Sequence, residues 1–274
     1  MTQQSAAEPP VILTEVTDRI GVITLNRPHR MNALNGPLID ALDEAVRDMA
    51  ADDGVKIVVL TGSGKGDALG GFCSGGDTKD GGGPRRGLMG ADPDAAEDDL
   101  TRFDLHAPML LHTMPKPAIA MIGGPAVGAG CSLAAACDLR YASDDAVFAS
   151  GFSANGLSGD YGGSLFWTQV MGTARTREFY YLNERLTAQE AYEWGMLNRV
   201  LPAGQLHDHT MAVAQKLLRV PATLLALIKN TLTEAEQEAD RRRYLFDLEA
   251  QSQRQASRDI AERMRRKAET KSST

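Results

Sequence analysis

Two glycine-rich stretches have the composition to bring main-chain N–H groups close to a ligand. The first runs Gly71-Phe72-Cys73-Ser74-Gly75-Gly76-Asp77-Thr78-Lys79 and the second Gly123-Gly124-Pro125-Ala126-Val127-Gly128-Ala129-Gly130. Each follows an apolar run, one ending at Thr61 and the other at Ile122. Glycine has no Cβ and tolerates backbone conformations closed to other residues, so the chain there can approach a bound molecule. The second stretch also opens a helical segment, whose first amides lack internal partners and sit at the positive end of the helix dipole. Two such amides aimed at one point make an oxyanion hole, worth about 3–4 kcal/mol per donor. Ordinary strand-to-helix turns have the same composition, so spacing alone leaves both readings open. Neither stretch is a phosphate loop: GxGxxG is not cleanly met, GxxxxGK[ST] is absent, and Gly62-Ser63-Gly64-Lys65-Gly66 lacks the spacing.

A carboxylate with chemical potential stands in Gly156-Leu157-Ser158-Gly159-Asp160-Tyr161-Gly162-Gly163. Aspartate in this setting either caps the helix that starts near Gly162, builds an Asx turn, or does chemistry. His106 and His112 lie on an apolar segment and read as core or surface histidines rather than catalysts. Cys73, Cys131 and Cys137 are odd in number, without CxxC spacing and without a histidine at local spacing. A disulfide framework, a zinc site and thiol catalysis are therefore not expected.

The elements that must position these groups alternate in type. Val11–Val16 and Gly21–Asn26 are β-rich runs split by Thr17-Asp18-Arg19, a hairpin signal. Gly36–Ala51 places Leu38, Leu42, Ala45, Val46 and Met49 at helical spacing. Val55–Thr61 and Pro117–Ile122 are continuous apolar runs suited to strands covered on both faces. Ala95–His112 and Gly130–Cys137 read as helices, and Leu139–Ala142 and Ala146–Ala149 as strands. After Gly172 the chain turns helical, over Ala174–Asn183, Thr187–Gly195, Gln205–Arg219, Pro221–Thr233 and a final helix from near Ala235. Thr187-Ala188-Gln189-Glu190 is a capping-box start. Gly81–Asp99 reads as an insertion shaping the pocket. The expected layout is an N-terminal arm at 1–10, a β/α core at 11–200 and a helical region at 201–274.

With 29 basic and 36 acidic residues, the 274-residue chain carries a net charge of −7. That field opposes whole-surface nucleic-acid binding. Its 43% apolar and 24% charged residues place it among ordinary globular proteins. The bases Arg241, Arg242, Arg243, Arg265, Arg266 and Lys267 are interleaved with acids and read as a solvated helix face or subunit contact. The uncharged interval between Lys116 and Asp138 is long enough to span a bilayer, but its central glycines and proline read as strand, turn and buried helix. The N-terminus has no signal-peptide pattern. A cytoplasmic protein without membrane or nucleic-acid partners is expected.

In order, Leu25-Asn26-Arg27-Pro28, Asn32-Ala33-Leu34, Phe72-Cys73-Ser74-Gly75-Gly76-Asp77, Val127-Gly128-Ala129-Gly130-Cys131, Ala136-Cys137-Asp138, Gly162-Gly163 and Ala188-Gln189-Glu190-Ala191 with Trp194-Gly195 resemble the crotonase family, the enoyl-CoA hydratase/isomerase superfamily. The resemblance runs from about Val11 to Leu218. It implies an α/β fold, a crotonase-like spiral of ββα turns with a helical C-terminal region that serves trimerisation, in a homotrimer or homohexamer. It implies an acyl-CoA substrate and no metal or redox cofactor, coenzyme A entering as part of the substrate. It maps the oxyanion donors onto the amides of Gly76 and Ala129, where the usual glycine is alanine. It also implies that His29, Arg30, Met31 and Ala33, with Asp77, Thr78 and Lys79, line the coenzyme A groove, Arg30 and Lys79 suiting phosphates by charge.

One departure matters most. Hydratases of this family use two glutamates, and those positions fall on Ser132 and Phe152, neither of which supplies an acid or base near neutral pH. Dienoyl-CoA isomerases, ring-opened phenylacetyl-CoA isomerases and an aryl-CoA dehalogenase resemble this chain in placing an acid at Asp160. The resemblance therefore favours double-bond isomerisation of an unsaturated or aryl-type acyl-CoA, with Asp160 as the single acid/base. Phe152, Leu157 and Tyr161 would give it apolar walls and a raised pKa. The alternatives are an enoyl-CoA hydratase of fatty-acid β-oxidation forming a 3-hydroxyacyl-CoA, a dehalogenase or thioesterase with Asp160 as nucleophile, and a non-catalytic acyl-CoA-binding subunit.

Overall fold

The structure, a computed structural model, describes residues 9–64, 70–77 and 106–236, together with 262, 265 and 266. Thr78, Lys79, the 81–99 insertion, the start of the helix expected from Ala95, the helix expected to continue past 236 and the basic cluster at 241–243 lie outside the described residues.

Strands β1 (Ile12–Thr17) and β2 (Ile20–Leu25) form the expected hairpin, with Ile12 opposite Leu25 and Thr17 opposite Ile20. Its two-residue turn takes Asp18 and Arg19 to positive φ, the geometry that matches strand twist in tight hairpins. Helix α1 (Gly36–Ala51) has the expected bounds. Asn35 caps it by accepting the Leu38 N–H at 3.2 Å, and Leu38, Leu42, Val46 and Met49 form its buried stripe.

Strands β3 (Ile57–Gly62), β4 (Ala118–Ile122), β6 (Leu139–Ser143) and β9 (Arg199–Leu201) extend the sheet in parallel, in the order β1-β2-β3-β4-β6-β9. The side chains of β3 and β4 are buried on both faces. Val58, Leu60, Ala118 and Ala120 join one core with α1, α2 (Ala107–Thr113) and α3 (Ala129–Ala136). Ile57, Val59, Ile119 and Met121 join the other, under α6 (Ala203–Leu217) and α7 (Ala222–Glu236), through Leu206, Ala214 and Leu225. This two-sided burial explains why those runs show no polar alternation.

A second layer is made of short pieces: β5 (Ala126–Val127), β7 (Val147–Ala149) and β8 (Leu186–Thr187). Bridges from Cys73 to Ala126 and from Leu34 to Gly76 extend it. The chain steps from the large sheet into this layer after β3, after β4 and after β6, giving the expected spiral. Each step delivers a bend to the same end of the sheet.

Two details differ from the sequence expectation. Helix α4 spans Gly163–Leu182, joining the helix expected to start near Gly162 to the one expected over Ala174–Asn183. Gly172 breaks it with φ 78° and ψ 165°, so a real interruption looked like a beginning. The first half of α4 buries Leu165, Phe166 and Trp167. Strands β5, β8 and β9 are two or three residues long, too short to show any periodicity. Helix α5 (Ala188–Glu193) begins at the expected capping box, with Thr187 and Glu190 bonded reciprocally.

Candidate active site

The first bend is tied down by two buried polar side chains. Asn32, with no solvent exposure, accepts the Arg27 N–H at 2.8 Å and donates to the carbonyls of Ser63 at 3.0 Å and Gly71 at 2.6 Å. The guanidinium of Arg27 reaches the Ala33 carbonyl and lies 3.1 Å from the Asp77 carboxylate, which also faces Arg30 at 3.5 Å. Asp77 thus holds the bend between two arginines, and part of the Arg30 charge is committed to it.

Leu34 donates its N–H to the Gly75 carbonyl at 2.8 Å and accepts that of Asp77 at 2.9 Å. The intervening N–H of Gly76 faces away from that strand. The second bend pairs with the first through Cys73 N–H to the Pro125 carbonyl (3.1 Å) and Val127 N–H to the Cys73 carbonyl (2.9 Å), and with β7 through Gly128 N–H to the Ala149 carbonyl (3.1 Å). Ala129, the first residue of α3, is 1% exposed. Among the described residues neither the Gly76 nor the Ala129 N–H is donated to a main-chain carbonyl.

Contact between the bends depends on missing side chains. Gly75 has φ 86°, and a Cβ there would lie 2.8 Å from the Val127 carbonyl oxygen and 3.6 Å from the Ala129 nitrogen. A Cβ on Gly130 would lie 2.3 Å from the Cys73 carbonyl oxygen. The two amides are therefore carried by bends packed backbone to backbone.

Facing them is the segment from Gly151 to Tyr161. Asn183, the residue after α4, anchors its start by accepting the Gly151 N–H at 2.6 Å and the Ser150 hydroxyl at 3.0 Å. A 3-10 turn at Ser153–Asn155 follows, and Leu157 N–H returns to the Phe152 carbonyl at 3.0 Å. The half-buried Asp160 accepts the Tyr161 N–H on Oδ1 at 2.8 Å, and its carbonyl accepts that of Gly163 at 3.1 Å. The carboxylate is thus held in a turn, and the residue also borders the cleft described next.

A cleft of about 390 Å³ lies between the bends and this segment. His29, Arg30, Met31 and Ala33 border it, as do Gly76, Asp77, Ala129, Phe152, Leu157 and Asp160. Every described residue marked from sequence as catalytic or substrate-binding therefore lines this one space. Gly151 and Asn155 line it too. Neither carries a local signal: their place comes from the Asn183 anchor and from the bond of Asn155 Nδ2 to the Gly151 carbonyl at 2.6 Å.

The two positions where a hydratase would carry glutamates are filled differently. Ser132 has no solvent exposure, does not line the cleft, and donates weakly to the Gly128 carbonyl at 3.4 Å. Phe152 is 5% exposed and stacks on Tyr180 with centroids 5.6 Å apart. Burial pushes the Cys73 thiol up to about 12 and raises that of Cys131 as well, which removes both as nucleophiles near neutral pH. His106 is not a cleft residue: its Nδ1 lies 2.9 Å from the Asp43 carboxylate. Among the described residues no single helix is long and apolar enough to cross a membrane.

Residues 15–274 match the enoyl-CoA hydratase/isomerase family model. The chain is 34% identical over 229 residues to the 1,2-epoxyphenylacetyl-CoA isomerase of Escherichia coli (strain K12), covering 82% of each protein. It is 33% identical over 229 residues to 4-chlorobenzoyl coenzyme A dehalogenase-1 of an Arthrobacter species, covering 83% of this chain and 79% of that one. Among solved structures, an enoyl-CoA hydratase from Mycobacterium avium subsp. paratuberculosis K-10 superposes with a TM-score of 0.76 at 28% identity, over 92% of this chain and 95% of that one. A monofunctional enoyl CoA isomerase from M. smegmatis gives 0.68 at 26%, over 84% and 96%. The ordered motifs, the spiral and these matches agree: the chain belongs to the enoyl-CoA hydratase/isomerase family, the crotonase superfamily of acyl-CoA enzymes.

Proposed function

We propose that this enzyme moves a double bond in an unsaturated or aryl-type acyl-CoA, with Asp160 as its single acid and base. The observation that carries the reading is the cleft itself. Two main-chain amides border it together with the Asp160 carboxylate, the Asp77 carboxylate being paired with Arg27 and Arg30, while the positions of the two hydratase glutamates hold a buried serine and a phenylalanine.

The thioester carbonyl accepts hydrogen bonds from the Gly76 and Ala129 N–H groups, so a proton on the carbon conjugated with it becomes more acidic as charge builds on the oxygen. Asp160 takes that proton, the electron pair delocalises as a dienolate onto the oxygen, and the carboxylate returns the proton farther along the chain. No water enters the balance, and one carboxylate suffices. His29, Arg30, Met31 and Ala33 hold the coenzyme A portion in this reading, with Thr78 and Lys79 continuing the groove. No cofactor beyond the coenzyme A of the substrate is needed. The exposed Leu224, Leu227, Ile228 and Leu232 on α7 support a homotrimeric or homohexameric assembly through the C-terminal region.

Asp160→Asn tests the mechanism. Turnover of a panel of 2-enoyl, 3-enoyl, dienoyl and aryl-CoA esters, scored separately for migration and water addition, should fall about a thousandfold, while ester affinity is retained. Near-normal migration in the variant would remove Asp160 from the reaction. The kinship with a chlorobenzoyl-CoA dehalogenase favours a second reading, in which Asp160 attacks the substrate. That reading requires a covalent adduct on Asp160, detectable by mass spectrometry after acid quench, and the isomerase reading requires none.

A further inference from the structure

A second cavity, of about 250 Å³, lies at the end of the large sheet opposite the bends. The β1–β2 turn, the chain entering β3 and β4, and the first turn of α7 enclose it. The length of the six-residue β3 separates it from the bends by roughly 15–20 Å. Arg19, Lys56 and Lys116 line it against a single carboxylate, that of Asp53. Two positive charges are left over there, in a chain whose net charge is −7.

Among the described residues none of these three cations forms an ion pair with a carboxylate. Lys56, only 7% exposed, donates to the carbonyls of Leu218 at 2.9 Å and of Val220. Lys116 donates to those of Met49 at 2.7 Å and Asp52 at 2.6 Å. These bonds cap the C-terminal ends of α6 and α1 and use two of the three N–H groups on each ammonium. The Arg19 guanidinium makes one long bond, 3.5 Å, to the Asp53 carbonyl. Its main-chain carbonyl accepts the Lys56 N–H at 2.8 Å, which sets the two residues side by side. Burial lowers the pKa of Lys116 first; Asp52 and Asp53 raise it, and Arg19 lowers it again. Cations that share this cavity therefore repel each other. Charge withdrawn from water needs a counter-charge, and an anion between these groups would supply one.

We propose that this cavity is an anion site, in which Arg19, Lys56 and Lys116 bind a phosphate dianion, either the free ion or the phosphate of a small phosphomonoester. Size and charge set the class. The cavity is smaller than the about 300–1,000 Å³ that drug-sized ligands occupy, and two excess positive charges match a dianion held by charge-assisted hydrogen bonds. Bound there, the anion ties the β1–β2 turn to the corner where α6 and α7 meet at 106°. The site does not depend on the acyl-CoA reading of the cleft.

Equilibrium dialysis of the full chain against radiolabelled inorganic phosphate, at constant ionic strength, should show saturable uptake. Arg19→Gln removes an exposed side chain with one weak bond and should weaken that uptake roughly tenfold. Arg19→Lys, which keeps the charge, should retain most of it, and Arg30→Gln, in the cleft, should leave it in place. Competition by methyl phosphate would assign the site to a phosphomonoester and its failure to the free ion; both uphold a dianion site. Absence of saturable uptake, uptake indifferent to Arg19→Gln, or uptake abolished by Arg30→Gln overturns the assignment.

Discussion

The two walls of the cleft are built on different principles. The wall carrying Gly76 and Ala129 is main chain against main chain: the bends exchange backbone hydrogen bonds and leave no room for a Cβ at Gly75 or Gly130. The wall carrying Asp160 is a length of irregular chain, with Gly151, Gly156, Tyr161 and Gly162 at positive φ, tethered at its start by one amide side chain. In the proposed reaction, stabilising charge on a thioester oxygen needs donors that do not move, and the first wall would supply them without depending on side-chain identity. In the same proposal, side chains on the second decide what happens to the carbon skeleton. A family can keep one wall and vary the other, and the hydratase, isomerase and dehalogenase names among this chain's relatives fit that division.

If the first wall is as unforgiving as its packing implies, Gly75→Ala has the largest effect on stability. A left-handed alanine and a Cβ 2.8 Å from the Val127 carbonyl oxygen should together cost about 3 kcal/mol, read by urea denaturation, with turnover lost on every ester. A stability change under about 1 kcal/mol would show that the bends can part and would break the contrast.

On the second wall, Asn183→Ala removes the acceptor for the Gly151 amide and the Ser150 hydroxyl and places alanine at φ 53°. The expected cost is about 1–2 kcal/mol, with a larger loss in kcat than in coenzyme A affinity, because the loosened segment is the one that carries Asp160. Equal losses in both would mean that the two walls do not act separately.

Thr187→Ala sharpens the comparison from outside it. The α5 capping box, in which Glu190 accepts the Thr187 N–H at 2.7 Å, lies away from the cleft. Its loss should cost about 1 kcal/mol and leave kinetic constants unchanged at temperatures below the shifted melting point.

How much of this was legible in the sequence follows the same division. Glycine spacing marks where backbone meets backbone, so Gly76 and Ala129 could be named once the order of the motifs was seen, and α1 was readable to its ends from one apolar stripe. The second wall depends on contacts between distant residues. Asn183 lies 32 positions from the Gly151 it holds, and the Arg27–Asp77 pair spans a still wider gap, so no local pattern announces either. Asp160 showed the limit most clearly. Spacing offered a structural turn or a chemical group as alternatives, and the structure gives it a turn bond and a place on the cleft together.

Ser132 sits so close under the start of α4 that a methyl on Gly163 would lie 2.1 Å from its hydroxyl oxygen and 2.6 Å from that of Tyr180. A glutamate at 132 would have to displace that helix end, because the space its carboxylate needs is already occupied. Placing a longer side chain at 132 therefore demands a compensating change in the packing beneath Gly163.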